Sequence, residues 1–338
     1  MPDILIGYDL EGPISSLDHA YEVCKKFVPN GAELFSVLSR YDDILALENK
    51  EGYEPGDTLK LITPFLIASG VTEKNMVAVS QEASLVPGIK ELFDYFLSYP
   101  RVISTSFHQH AHNIGEQLGL YAACIYCTNF PIGIYSKMVS QEDIEKVSSL
   151  RKKIVELYSP MLEIGENDQD IKGLLAPFFW QELPKTSFGP IMEKVNVIGG
   201  RRKVAALQSA LLDSKVYYLD RTIVVGDSIT DWRMLQVVEA AGGLAVAWNA
   251  NLYALPWATC SVTATNAWAV EPLIWQFRIG GRPAVRQWIE RAPLPDDPEV
   301  GPYYHWVAGQ DEETLKRILK IHKRLRTTCR GAETSRLG

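Results

Sequence analysis

Short apolar runs that end abruptly in polar residues recur along this sequence, and they predict the strands of a buried sheet. Residues 4–8 form the first run, and residues 101–105 and 222–226 form two more. Continuous apolar runs of this length are typical of parallel strands that are covered on both faces. Further strands are predicted at residues 124–127, 244–248 and 260–263. The pattern therefore predicts an α/β fold with a parallel sheet.

The segment between the first two predicted strands has a helical pattern throughout. Apolar residues recur every three or four positions from about residue 18 to residue 99. A connection between two parallel strands needs only one helix, whereas this segment has room for several. We therefore expect an inserted helical cap here.

The rest of the chain divides into three parts. A helix that begins after Ser140, with Asp143 as its capping partner, leads into residues 160–192. Many Pro and Gly residues there indicate an irregular excursion, either a flap or plain surface. A helix over residues 201–212 precedes the strand at 222–226. We expect an α/β core at 1–16 and 101–280 with an irregular or helical insert at about 135–195, a cap at 17–100, and a C-terminal extension at 281–338.

Composition and charge narrow the class of protein. The chain has 338 residues, 46% apolar and 22% charged, which excludes a disordered or fibrous protein. The net charge of −7 attracts no polyanion, so no nucleic-acid partner is expected. Five cysteines, an odd number, and a start without a signal-peptide pattern predict a cytoplasmic location. Residues 240–270 carry no charge, but their Asn and Pro residues argue against a membrane span.

The C-terminal extension is basic, unlike the chain as a whole. Residues 311–338 contain eight Lys or Arg and four Asp or Glu. A predicted amphipathic helix there has Leu315, Ile318, Leu319 and Leu325 on one side. The apolar side predicts docking on the core, and the basic side leaves a protein partner, RNA or an acidic membrane surface as alternatives.

Polar residues follow three of the predicted strands, and parallel packing would bring them together at one edge of the sheet. In chain order they are Asp9, Glu11, Ser104, Asp227 and Asp231. Carboxylate oxygens are ligands that Mg²⁺ prefers, and carboxylates crowded together require a cation. Lys203, on the helix before the strand at 222–226, would add positive charge for an anionic substrate. The combination points to phosphoryl chemistry.

These residues resemble, in order, the four motifs of the haloacid dehalogenase superfamily. The motifs are Asp9-Leu10-Glu11-Gly12, the strand that closes on Ser104, Lys203, and Gly226-Asp227-Ser228-Ile229-Thr230-Asp231. The resemblance spans residues 3–275 and implies a Rossmann-like core with a C1-type helical cap. The phosphoserine phosphatase-like group is most similar, because Asp-Leu-Glu-Gly and a Ser-x-x-Phe turn both occur there. Residues 9–15 also resemble predicted phosphatases of the archaeal energy-converting hydrogenase A subunit R type.

The resemblance implies a role for each site residue. Asp9 would attack the phosphorus and form an aspartyl-phosphate. Glu11 would protonate the leaving oxygen and then deprotonate the incoming water. Ser104, with Thr105, and Lys203 would bind the phosphoryl group. Mg²⁺ would be held by the Asp9 side chain, the Glu11 backbone carbonyl and Asp227, with Asp231 in support.

Several features depart from the motifs or leave alternatives. The superfamily more often has Asp at the position of Glu11, and Pro13 removes one backbone N–H from the loop that would surround the phosphate. His108 and His112 are four positions apart, a spacing that suits a metal site or a substrate contact; otherwise they form the partly exposed start of a helix. Alternatives to Lys203 are Lys185, Lys194 and Lys215.

We therefore predict a Mg²⁺-dependent phosphoric monoester hydrolase that acts on a small phosphorylated metabolite beneath its cap. One alternative is phosphotransfer to an acceptor other than water. Another is a non-catalytic or regulatory scaffold of the same fold that joins a larger complex through residues 311–338. Under the last alternative, deletion of residues 311–338 would remove the partner, whereas a phosphatase would keep its turnover.

Overall fold

The predicted strands form one sheet in the part of the chain that a computed structural model describes, which is residues 4–95, 100–158 and 167–334. The strands are β1 (Leu5–Tyr8), β2 (Arg101–Phe107), β3 (Ile125–Thr128), β4 (Thr222–Gly226), β5 (Leu244–Trp248), β6 (Cys260–Thr263) and β7 (Tyr303–Trp306). Their order across the sheet is β3-β2-β1-β4-β5-β6-β7. All neighbours are parallel except β6 and β7.

Helices supply the rest of the regular structure. They are α1 (His19–Phe27), α2 (Gly31–Leu47), α3 (Thr58–Ala68), α4 (Glu73–Gln81), α5 (Ile89–Tyr95), α6 (His108–Gln117), α7 (Ile132–Tyr135), α8 (Gln141–Glu156), α9 (Asp168–Pro177), α10 (Gly189–Lys194), α11 (Arg201–Asp213), α12 (Trp232–Ala240), α13 (Glu271–Ile289) and α14 (Glu312–Thr334). The first five lie between β1 and β2, where the sequence predicts a cap. The end of that predicted cap, residues 96–99, lies outside the described residues.

The sheet is buried on both faces, as its apolar strands predict. Alternate residues of a strand point to opposite faces, so Ile223 and Val225 of β4 join one hydrophobic core while Val224 joins the other. Helices α5, α6 and α13 complete the first core, and α11 and α12 complete the second. The predicted α/β fold with a mostly parallel sheet is confirmed.

A third hydrophobic core lies among the inserted helices, and two separate segments build it. Leu34 and Leu38 of α2 pack in the same core as Phe179 and Ile191, which come from the segment between β3 and α11. From residue 168 onward that segment is helical rather than the irregular excursion expected over 160–192; residues 159–166 lie outside the described part of the chain. Pro177, Pro184 and Pro190 stand at helix ends and first turns, where a missing N–H costs little.

The C-terminal extension is built into the fold. Strand β7, which the sequence analysis missed because its four residues neither form an aliphatic run nor alternate apolar with polar, pairs antiparallel with β6 at the sheet edge. Helix α14 buries Ile318 and Leu325, and the ring of His322 accepts a hydrogen bond at Nδ1 from the backbone N–H of Ala250 at 2.7 Å. The predicted docking of the apolar side of this helix is therefore what the structure shows.

The uncharged stretch over residues 240–270 contains β5 and β6 in the middle of the sheet, which explains its lack of charge. In the described residues no helix has both the length and the apolar character that a bilayer crossing requires.

The burial of α14 gives a test of its place in the fold. We expect Leu325→Ala to lower the free energy of unfolding by about 2–5 kcal/mol, because the side chain is 0% exposed and its loss leaves a cavity. The matched change Leu294→Ala, at a side chain that is 83% exposed, should cost less than about 0.5 kcal/mol. Denaturant unfolding followed by circular dichroism measures both. Equal effects of the two changes would show that α14 does not stabilise the fold.

Candidate active site

The ends of three adjacent strands meet at one edge of the sheet and place the predicted carboxylates together. Strand β1 lies between β2 and β4 in the sheet order, so Asp9 after β1 sits beside Ser104 in β2 and Asp227 after β4. The backbone N–H of Asp9 donates to the carbonyl oxygen of Val225 at 2.9 Å, which extends the strand pairing up to the site. All three side chains are buried.

A fully buried lysine joins two of the carboxylates. Lys203 Nζ donates to Asp9 Oδ1 at 2.7 Å and to Asp231 Oδ1 at 2.6 Å. Burial by itself would lower the pKa of Lys203, but the carboxylates of Asp231 and Asp9 raise it above its usual value. The alternatives Lys185, Lys194 and Lys215 are all exposed.

Asp231 fixes the loop that follows β4. Its Oδ2 accepts hydrogen bonds from the backbone N–H groups of Asp227 at 2.9 Å and Ser228 at 3.1 Å, while Oδ1 receives Lys203. Both carboxylate oxygens are therefore engaged by the chain itself. This geometry makes Asp231 a positioning residue for the lysine and for the loop that carries Asp227.

Glu11 lies at the end of a short chain of hydroxyl groups. Ser104 Oγ donates to Ser106 Oγ at 3.1 Å, and Ser106 Oγ donates to Glu11 Oε1 at 2.5 Å. The same Oε1 accepts from the backbone N–H of His19 at 3.3 Å. Burial, with the nearby carboxyl of Asp18, raises the pKa of Glu11 to about 8, so this group holds a proton at neutral pH.

Thr105 lines the site, but its side chain is engaged elsewhere. Its hydroxyl donates to the carbonyl oxygen of Ile198 at 3.0 Å, and its own carbonyl oxygen accepts from Thr128 Oγ1 at 2.6 Å. These bonds tie β2 to β3 and to the segment that enters α11. The hydroxyl of Ser104, by contrast, belongs to the chain that ends on Glu11.

Three carboxylates could hold a divalent cation. Asp9, Asp227 and Asp231 each place one oxygen within 4.8 Å of the others. Asp227 Oδ1 is buried and has no hydrogen-bond partner, which is the state expected of a metal ligand before its ion arrives. The hard oxygen donors and this unsatisfied atom fit Mg²⁺. Across residues 4–95, 100–158 and 167–334 this is the one such cluster, and it includes neither His108 nor His112.

Two arginines of α14 occupy the other oxygen of Asp227. Arg330 Nη1 donates to Asp227 Oδ2 at 2.9 Å, and Arg326 Nη1 contacts the same oxygen. Their side chains are only 7% and 3% exposed. The sequence analysis treats residues 311–338 as separable from the site. That expectation is wrong, because the docked helix carries both guanidinium groups into the site.

The inserted helices cover a small cavity above these residues. Its walls come from the sheet edge and from α2 and α3, and its volume is about 80 Å³. The titratable groups on its walls are Asp9, Glu11, Asp18, Asp42 and Arg330. Burial is the main cause that raises the pKa of Asp9 to about 7 and the pKa of Asp42 to about 7.

The loop after β1 depends on Gly12. Its φ angle is +115°, and a Cβ placed there would lie 2.5 Å from Asp227 Oδ2. Next to it, Pro13 is buried in a turn that backbone bonds close on both sides, from Gly12 N–H to the Ser15 oxygen and from Ile14 N–H to the Leu10 oxygen. Proline therefore suits this turn, and the loop holds its shape without the N–H that Pro13 lacks.

Four residues of the site escape the sequence analysis: Ser106, Asp18, Arg326 and Arg330. Ser106 stands two positions after Ser104, and side chains two apart on a strand share a face, so its position was a usable signal. Asp18 precedes a helix and caps it, with Oδ1 accepting from Tyr21 N–H at 3.0 Å. The arginines are four apart on a helix, but only the tertiary fold shows where that face points.

The fold is similar to that of a phosphatase of known structure. A structure titled as the phospho-aspartyl intermediate analogue of phosphoserine phosphatase covers 81% of this chain and 100% of its own, with 14% identity and a TM-score of 0.51. With the seven-stranded, mostly parallel sheet, this likeness shows that the chain has the fold of that phosphatase structure, as the motifs predict.

A second likeness covers nearly the whole molecule. The structure of gene product AF1437 from Archaeoglobus fulgidus covers 99% of this chain and 99% of its own, with 28% identity and a TM-score of 0.83. The matched region includes the C-terminal extension as well as the core and the inserted helices. Neither a protein-family model nor a curated protein matches the sequence.

The close approach at Gly12 gives a first test of the site. We expect Gly12→Ala to lower the free energy of unfolding by at least about 1 kcal/mol, because the new Cβ meets Asp227 and the φ angle disfavours alanine. The control Gly173→Ala lies within α9 with no atom within 4 Å of its Cβ, so it should leave stability unchanged or raise it by up to about 1 kcal/mol. Denaturant titration compares them. A harmless Gly12→Ala would argue against this loop geometry.

The raised pKa of Glu11 gives a second test. The pKa of this carboxyl is about 8 in the folded chain against an ordinary 4.5, so over this range the folded state holds a proton that the unfolded state has released. The contribution of Glu11 to stability is therefore full at low pH and is lost as the pH rises to about 8. In Glu11→Gln the thermal midpoint should fall less steeply between about pH 5 and pH 8 than in the wild type. The exposed control Glu116→Gln should keep the wild-type slope, and a wild-type slope in Glu11→Gln would contradict the assignment.

Proposed function

We propose that the protein is a Mg²⁺-dependent phosphatase that hydrolyses a small phosphorylated metabolite through an aspartyl-phosphate. One observation carries the proposal: a carboxylate oriented by a buried lysine, Asp9 with Lys203, opens on the same cavity as a second carboxyl group whose pKa is raised by burial, Glu11. Phosphate-ester cleavage through a covalent intermediate uses a nucleophile and a general acid that reach the same phosphoryl group.

In the first step Asp9 attacks the substrate phosphorus. Lys203 holds Oδ1, which leaves Oδ2 as the attacking oxygen. As the new oxygen–phosphorus bond forms, the bond from phosphorus to the leaving oxygen breaks, and that oxygen takes the bonding electrons and the proton of Glu11. Ser104 binds a phosphoryl oxygen, and the positive charge of Lys203 behind Asp9 helps to stabilise the charge that develops on the phosphoryl group.

In the second step water releases the phosphate. Glu11, now ionised, takes a proton from a water molecule while the water oxygen bonds to phosphorus. The bond between phosphorus and Asp9 breaks, and both residues return to their starting states. Ser106 supports the exchange because its hydroxyl donates to Glu11 Oε1 and stabilises the ionised form.

Asp9, Asp227 and the backbone carbonyl of Glu11 would hold the Mg²⁺ ion, with Asp231 in support through the loop it fixes. When bound, the ion supplies positive charge that lowers the pKa of Asp9 and offsets repulsion between the carboxylates and the phosphate. The unsatisfied Oδ1 of Asp227 supports this assignment.

The inserted helices set the size of the substrate. Phe35, Ser39 and Asp42 of α2 and Thr58 and Leu59 of α3 line the cavity together with Asp9. A small cavity beneath these helices favours a small molecule over a phosphorylated protein or nucleic acid. We propose that these helices act as the cap and carry the substrate preference.

The proposal is tested by hydrolysis of a panel of phosphate monoesters with and without Mg²⁺. We expect Mg²⁺-dependent release of phosphate that Asp9→Asn lowers by at least about a thousandfold, because the amide cannot attack phosphorus. Asp94→Asn, the same change at an exposed position, should keep the wild-type rate. If the wild type binds Mg²⁺ but releases phosphate from no ester, general phosphatase activity is excluded.

A further inference from the structure

Arg330 has an unusual place in the candidate site. It lies on α14, outside the four motifs, yet it is among the residues that line the cavity above Asp9. Lys203 is fully buried between Asp9 and Asp231 and is not part of the described cavity wall. Among the described lining residues, Arg330 is therefore the one that presents a positive charge to the cavity.

Helix α14 supplies cations that face the carboxylates around Lys203. Three carboxylates, Asp9, Asp227 and Asp231, face three cations, which are Lys203, Arg326 and Arg330. Two of the three positive charges thus come from the C-terminal helix. A phosphorylated substrate adds negative charge to a cavity that already holds four carboxyl groups, so a cationic donor on the cavity wall favours its binding.

The two arginines are held differently. Arg326 is 3% exposed, and its Nη1 also contacts the carbonyl oxygens of Asp227 and Asn249 at 3.3 Å each, so it belongs to the support of the β4 loop. Arg330 lies one turn further along the same face and reaches Asp227 Oδ2 from the cavity side. Directly after it, Gly331 breaks the helix with a φ angle of +80°.

We propose that Arg330 is a substrate-binding residue. When the substrate binds, the guanidinium group gives up its contact with Asp227 and pairs with an oxygen of the phosphoryl group. The planar guanidinium can offer two parallel N–H groups to two oxygens of a phosphate, which an ammonium cannot do. The inference rests on the proposed function, because it assigns a further contact to the same phosphoryl group. It also makes the C-terminal helix a part of the active site.

The test measures the binding of inorganic phosphate by calorimetry, with and without Mg²⁺, in the full chain. We expect Arg330→Gln to weaken binding at least tenfold and Arg330→Lys to restore part of the loss, because the charge returns without the fork geometry. The control Arg324→Gln changes an arginine of the same helix whose side chain is 42% exposed and pairs with Glu299, and it should bind phosphate as the wild type does.

A second measurement does not depend on the variants folding well. In crystals of the wild-type protein soaked with tungstate, an oxygen of the anion should lie within hydrogen-bond distance of an Arg330 Nη atom. An anion that contacts Ser104 and Lys203 but lies away from Arg330 would overturn the proposal. Wild-type phosphate affinity in Arg330→Gln, or no phosphate binding by the wild type, would overturn it too.

These outcomes are separable from those of the hydrolysis test. If Arg330→Gln loses phosphate binding while the wild type hydrolyses no ester, Arg330 binds the anion and the phosphatase proposal fails. If Mg²⁺-dependent hydrolysis is observed and Arg330→Gln binds phosphate like the wild type, the phosphatase stands and the role of Arg330 fails.

Discussion

The positive charge of Lys203 sits where water does not reach, and the ends of three strands are arranged around it. A buried ammonium must be paired with carboxylates and fully hydrogen-bonded, since an unpaired charge in the interior is very costly. Asp9 and Asp231 are the carboxylates that pair with Lys203. Asp231 also fixes the loop that carries Asp227. Lys203 thus connects α11, β1 and the loop after β4 into one rigid unit that holds the nucleophile Asp9 in place.

Burial raises the pKa values of the Asp9 and Glu11 carboxyl groups in this unit. The helices from two separate insertions share one hydrophobic core, and those of the first insertion, α2 and α3, lie over the carboxyl groups. Loss of water favours the protonated form of Glu11 and works against ionisation of Asp9, two residues away. Lys203 favours the charged form of Asp9, whereas burial raises the pKa of Glu11 more than the hydrogen bond from Ser106 lowers it. Two similar carboxyl groups acquire different tasks through their surroundings.

Much of the fold and the centre of the site could be predicted because their signals are local in the sequence. Apolar runs specify buried strands, and the residues that follow them, Asp9 and Asp227, must meet when the strands are parallel neighbours. Lys203 could be proposed from its position, but only the structure separates it from Lys185, Lys194 and Lys215. Strand β7 was missed because four half-buried aromatic residues at a sheet edge lack the pattern of a core strand. Arg326 and Arg330 depend on the docking of α14 through Leu325 and His322, and no local pattern reports that contact.

The contact between α14 and Asp227 also constrains when the site can form as the chain folds. Asp9 and Lys203 are separated by 194 positions, and Asp227 and Arg330 by 103. Contacts of such separation form late, because long loops must close before they contribute. On the ribosome, where N-terminal segments emerge and fold first, the sheet edge holds Asp227 before its guanidinium partners have been synthesised. A nascent or partly folded chain therefore carries an acidic and incomplete site, and the chemistry is assembled only in its last stage of folding.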